Sequence, residues 1–176
     1  TALLRGFLPD DRITLVDVEA SSESGLVLGD GSALPFKEGA FDVVCAFDTL
    51  EHIPKKFRGR FVRECRRVAR KWVVLAGPYH TARVAQAEQL LKRFLKDKLA
   101  VRHRYLEEHR GIGLPSRKET EGLLRELGGE VRSLGHANLE RWLALMMLSM
   151  YLDHDPALRK LAASVHRFYN KNLYAS

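Results

Sequence analysis

Acidic residues and histidines gather where apolar runs stop. Asp17 closes Thr14-Leu-Val-Asp17, Asp30 stands inside Gly29-Asp-Gly-Ser32, and Asp48-Thr-Leu-Glu-His52 follows the run Phe41–Phe47. A carboxylate at a strand end can accept hydrogen bonds from a pair of hydroxyls. Asp30 can accept from an amino group while the backbone N–H of Gly31 or Ser32 donates to a ring nitrogen. Glycine at 29 and 31 permits the close backbone approach this requires. Glu51, His52 and His80 could exchange a proton with a substrate, and a structural hydrogen-bonding role suits each of them too. Asp48, Glu51 and His52 also offer two carboxylates and an imidazole to a divalent ion. Taken singly, Asp17 is a common strand ending and Asp30-Gly31 an ordinary turn.

Such groups need a frame. Ile13–Val18, Phe41–Phe47 and Trp72–Ala76 are near-continuous apolar runs, as central parallel strands are. They alternate with amphipathic helices, which gives an α/β fold: a doubly wound, mostly parallel sheet covered on both faces. In Lys55–Lys71, Phe57, Phe61, Cys65 and Val68 form one apolar stripe. Arg58, Arg60, Arg63, Arg66, Arg67 and Arg70 are expected to form a solvated face on the remainder. After Pro78 a long helix carries Val84, Leu91, Phe94, Leu95 and Leu99 on one side, and Glu107–Pro115 reads as a polar, glycine-bearing loop. Ser116 with Glu119 suggests a capping box for a helix reaching Leu127, stopped by Gly128-Gly129. Glu130–Leu134 reads as a further strand. Asn138 is placed to cap a helix that is apolar nearly all round from Trp142 to Leu152. That helix could cover a substrate pocket, pack against a partner chain or touch a membrane face. Asp155-Pro156 restarts a second helix, with Leu158, Leu161, Ala162, Val165, Phe168 and Tyr169 inward.

The run from Gly29 to His52 resembles the middle motifs of class I S-adenosylmethionine-dependent methyltransferases, where GD-x-x-x-LPF-x-x-x-x-FD leads into D-x-LEH. The resemblance implies a Rossmann-like sheet, S-adenosyl-L-methionine as cofactor and methyl transfer as the reaction. It implies cofactor contacts from Asp17, Val18, Asp30, Gly31, Ser32, Phe47 and Asp48. Asp17 falls to the ribose hydroxyls, Asp30 to the adenine amino group, and Phe47 and Asp48 to the methionine portion. Glu51 and His52 fall to the acceptor side. In-line methyl transfer needs no covalent enzyme intermediate, so positioning two reactants can supply most of the catalysis. His52, His80 and Glu51 are the candidates for a catalytic role, and none is assigned. Some relatives hold a metal at Glu-x-x-Glu-His; here the pattern is Asp48-x-x-Glu51-His52, and no metal site is assigned.

The 176 residues carry 45% hydrophobic and 29% charged side chains, as a globular protein does. The net charge of +7 would suit an anionic partner, nucleic acid among them. No exposed aromatics interleave with the arginines, which favours a solvated helix face over a nucleic-acid surface. A small-molecule or glycan-type acceptor is what the resemblance implies, from the breadth of the family. Cys45 and Cys65 are expected to be buried free thiols in a reducing, cytoplasmic compartment. No signal-peptide pattern is present, and Trp142–Leu152 is too short to span a bilayer. The family's opening Gly-x-Gly-x-Gly turn has no counterpart before Asp17. Gly6 is solitary, and Leu3 to Leu8 would match the helix that follows that turn. The chain therefore reads as a single, partial domain over 1–176, truncated at its N-terminal strand. It carries a helical insertion around 81–115 and a helical C-terminal segment, 138–174, with possible oligomer or partner contact through helix 139–152. Alone, such a fragment is expected to bind the cofactor weakly or not at all, and to be inactive. A non-catalytic interaction module that lost its cofactor loop is the alternative from another class, and an RNA methyltransferase is a further one.

Overall fold

The computed structural model describes residues 5–6, 8–22, 25–135 and 138–172, with side chains as far as residue 168. The expected helix end at Leu3, Leu4 and Phe7 lies outside them. In chain order the elements are β1 (Leu15–Asp17), β2 (Leu26–Leu28), β3 (Phe41–Phe47), a 3-10 turn (Leu50–His52), α1 (Lys55–Val68), β4 (Ala69–Ala76), α2 (Ala82–Leu99), α3 (Arg104–Ile112), α4 (Arg117–Glu126), α5 (Leu139–His154) and α6 (Arg159–Asn172). The fold is mixed α/β with parallel strands.

β1 pairs with β2, setting Leu15 opposite Leu26 and Asp17 opposite Leu28. β3 pairs with β4, setting Val43 opposite Trp72 and Phe47 opposite Ala76. Parallel neighbours need a crossover between them, and α1 is the crossover of the second pair. The expected run Phe41–Phe47 forms as one strand. β1 is shorter than expected, β4 starts at Ala69 instead of Trp72, and β2 was not foreseen.

Phe61, Val62, Cys65 and Val68 of α1 are buried. Ala46 and Leu50 join Phe61, Val62 and Cys65 in one cluster, with Val44, Val73, Leu75, Leu123, Leu124 and Leu127 packed against it. Phe57, expected in that stripe, is exposed, with the Lys56 ammonium 4.8 Å from its ring centre. Strand side chains alternate, so Val43, Cys45, Phe47, Trp72 and Val74 point to the other side of β3–β4. All five are exposed, Trp72 by 63%. The expectation of a sheet covered on both faces thus holds for only one face of this pair among the described residues. Cys45 is likewise not buried as expected. Cys65 is, and burial pushes its thiol up to about 12.

The chain divides into two compact units: Thr1–Gly77 with Glu119–Gly129, and Pro78–Lys118 with Glu130–Ser176. The second is helical. Leu91, Leu95, Leu99 and Leu106 form its buried cluster, against which Phe94, Trp142, Leu143, Met146, Met147 and Met150 pack. The apolar α5 is therefore consumed largely by packing on α2, although Leu148 and Tyr151 stay exposed. α3 occupies what reads in sequence as a polar loop. Lys92–Glu107 and Glu88–His109, each at 2.7 Å, tie it to α2, and Gly113 ends it at φ 78°. Glu130–Leu134 is not a strand, and Leu134 is 88% exposed. In α6, Ala162 is buried as expected, whereas Leu161 and Phe168 are exposed; the side chain of Tyr169 is outside the described residues. No described helix is long and apolar enough to cross a membrane.

Candidate active site

Asp17 ends β1, and its carbonyl accepts a hydrogen bond from the Gly29 N–H at 2.9 Å. That bond brings the strand-end acid beside the turn Asp30–Ser32. A side chain at Gly29 would meet Pro35 at 3.2 Å and Val16 at 3.3 Å. The Asp17 carboxylate accepts from the Glu19 N–H at 3.0 Å. Val18 beside it is 72% exposed, an apolar surface open to a ring.

At the turn, Asp30 Oδ1 accepts from the Ser32 N–H at 2.7 Å, and the Ala33 N–H donates to the Asp30 carbonyl. The hydrogen bond from Ser32 holds the Asp30 carboxyl below its usual range despite slight burial, with Arg60 acting in the same direction. Asp30 is thus an ionised, exposed acceptor at neutral pH. Ser32 is buried and its N–H is already engaged. Gly31 lies against the ring of Phe61, so closely that a Cβ would sit 2.5 Å from Phe61 Cε2.

The second strand pair ends in the other candidates. Phe47 is 50% exposed. Asp48 donates its N–H to the Ala76 carbonyl at 2.8 Å and turns the chain at φ 46°, a left-handed conformation that Asp tolerates better than most residues. Thr49 Oγ1 donates to the Phe47 carbonyl. Glu51 is 1% exposed, and a Cβ at Gly77 would lie 2.9 Å from its Oε2. His52 is half-buried and its N–H donates to the Thr49 carbonyl. Glu51 and His52 bring ligand atoms within 4.8 Å of each other, and among the described residues Asp48 does not join them. His80 is exposed and belongs to the helical unit, where its N–H donates to the Pro115 carbonyl.

Residues 11–76, from the start of the β1 segment to the end of β4, match the family model described as "Methyltransferase domain". The matched family is one of class I S-adenosylmethionine-dependent methyltransferases, and the match covers 66 of the 176 residues. No curated protein matches the chain. The methyltransferase segment covers both strand pairs and every cofactor-side candidate, and it stops before His80.

Two arginines of the methyltransferase segment depart from the solvated face expected for α1. Arg58 Nε donates to the Leu50 and Ile53 carbonyls at 3.2 and 2.9 Å, closing the turn that carries Glu51 and His52. Arg67 reaches the loop carbonyls of Leu34 and Phe36 and pairs with Glu64. Arg60, Arg63, Arg66 and Arg70 are exposed, as expected. An acid three residues before an arginine is visible in the sequence as Glu64-x-x-Arg67. Nothing in that spacing says that the pair turns towards a loop.

Proposed function

We propose that the chain carries the adenosyl half of an S-adenosylmethionine site in a Rossmann-like methyltransferase that acts on a small-molecule or glycan-type acceptor. The observation that carries this reading is the Gly29 N–H to Asp17 carbonyl bond, which brings the backbone of Asp17 and of the Gly29–Asp30 turn together at the end of a parallel strand pair. Ligands of open α/β sheets bind beyond the carboxyl ends of the strands.

The donor set suits the adenosyl group. The Asp17 carboxylate takes the ribose hydroxyls, and the exposed face of Val18 takes the adenine ring. The Asp30 carboxylate, oriented by hydrogen bonds from Ser32, takes the adenine amino group. With the Ser32 N–H engaged, the ring nitrogen falls to the Gly31 N–H. Phe47 and Asp48 are assigned to the methionine portion. Bound S-adenosylmethionine supplies an electrophilic methyl group on sulfur, and the residues around it orient that methyl towards the acceptor. Glu51, enclosed against Gly77, suits the holding of the strand ends. His52 and His80 are left as candidate bases for an acceptor that needs one.

Saturation-transfer NMR with S-adenosylhomocysteine on the 176-residue chain tests this. The adenine and ribose protons should receive saturation. Asp17→Ala and Asp30→Ala should each weaken binding by about tenfold, the scale of one hydrogen bond to a charged group. No saturation at millimolar ligand, or unchanged binding in both variants, would overturn the reading.

A further inference from the structure

The loop Gly29–Gly39 has no regular secondary structure, yet α1 holds it at several points. Glu64 Oε2 accepts from the Leu34 N–H at 2.9 Å. Arg67 donates through Nη1 to the Phe36 carbonyl at 2.7 Å and through Nη2 to the Leu34 carbonyl at 3.0 Å. The two side chains also grip each other, Nε to Oε1 and Nη2 to Oε2, both at 2.7 Å. The Arg67 backbone carbonyl accepts from the Gly39 N–H at 2.9 Å. Phe36 meets Phe41 edge to face, with ring centres 4.8 Å apart, and Gly31 rests on Phe61. The hydrogen bond from Arg67 holds the Glu64 carboxyl below its usual range against partial burial, so the pair is ionised at neutral pH.

A bidentate arginine–carboxylate pair fixes direction as well as distance, because both forks are planar. Beyond this pairing, each member also reaches loop backbone. The loop is thereby ordered before any ligand arrives, which lowers the entropy cost of binding.

We propose that Glu64 and Arg67 are positioning residues for purine recognition. They hold the loop in the one register that aims the Asp30 carboxylate and the Gly31 N–H at the edge of a 6-aminopurine. Selectivity for a 6-amino over a 6-oxo group then depends on two side chains that never touch the ligand. This rests on the adenosyl reading above. A role confined to stability would lower binding of all purine nucleosides alike, whereas positioning acts on the amino–oxo difference.

The test is equilibrium dialysis of the 176-residue chain against adenosine and inosine. The proteins compared are wild type, Asp30→Ala, Glu64→Gln and the conservative Arg67→Lys, each checked by thermal unfolding. Wild type should prefer adenosine by about tenfold or more, the scale of a hydrogen bond to a charged group, and Asp30→Ala should abolish the preference. Glu64→Gln and Arg67→Lys should shrink it severalfold while inosine binding moves less than twofold. Wild-type preference retained in both variants overturns the positioning role and leaves the adenosyl reading standing. No preference in wild type, or one that survives Asp30→Ala, overturns the adenosyl reading and the positioning role with it. If both Glu64→Gln and Arg67→Lys unfold, the pair is a folding requirement and the separable role proposed for it is wrong.

Discussion

Gly31→Ala places one methyl group where the structure has no room. The added Cβ would lie 2.5 Å from Phe61 Cε2 and 2.7 Å from Cδ2. Carbon atoms rest about 3.5–4.0 Å apart, so roughly 1 Å of overlap has to be relieved. Phe61 is 4% exposed and is wedged among Ala46, Leu50, Val62 and Cys65, which leaves its ring little space to retreat. The loop is also held by Glu64 and Arg67 of the same helix. Overpacking of this kind costs about 1–3 kcal/mol. Gly31 is not among the glycines with positive φ, so its backbone accepts alanine. The reduced freedom of the unfolded chain returns about 0.4–1 kcal/mol. The expected net loss is about 1–2 kcal/mol. Urea dependence of amide hydrogen exchange in α1 measures it without interference from the helical unit. Phe61→Leu removes the colliding ring edge, so Gly31→Ala should cost less than about 0.5 kcal/mol in that background. An equal cost in both backgrounds, or none in the first, would refute the steric reasoning.

Thr81 Oγ1 accepts from the Val84 N–H at 3.1 Å and Asn138 Oδ1 from the Arg141 N–H at 3.0 Å. Thr81→Ala and Asn138→Ala should each therefore cost about 1 kcal/mol in thermal unfolding. Burial, aided by neighbouring His109, holds the His103 imidazole below its ordinary 6.5. The unfolded chain then binds the extra proton first, so the associated stability is present above about pH 6.5 and is lost as pH falls below it. Thermal midpoints from pH 8 to 5 should decline over that window, and less steeply in His103→Gln. A disulfide reagent should titrate exposed Cys45 in the folded protein and reach Cys65 only after unfolding, because the Cys65 thiol is 3% exposed and held near 12.

What the sequence revealed depends on how local each feature is. Phe41–Phe47 was legible because seven apolar-rich residues between a Gly-Ala turn and a charged exit have few other uses. β2 was not, since Leu26–Leu28 is too short to show a period. α3 was mistaken for a loop because Gly111 and Gly113 weigh against a helix. The contacts that compensate, Lys92–Glu107 and Glu88–His109, come from another helix. The acids of the site could be named from the chain, but their mutual placement is a matter of register. Only the paired β1 and β2 bring the Asp17 carbonyl to the Gly29 N–H. An arginine-rich helix looks the same in sequence whether a guanidinium meets water or a carbonyl, which is why Arg58 and Arg67 read as part of the solvated face.

The open face of β3–β4 has a colloidal consequence. Val43, Cys45, Phe47, Trp72 and Val74 present an apolar strip to solvent, and a molecule bearing +7 keeps copies of that strip apart by long-range repulsion. Arg70 and Lys71, both drawn towards Asp42, guard its edge at short range. Salt weakens the first barrier, since the screening length falls from about 8 Å at physiological ionic strength to about 3 Å at 1 M. Light scattering should accordingly rise with added sodium chloride. A charge placed at Trp72 should suppress that rise, making the solubility of this protein a property of one sheet face and the ions around it.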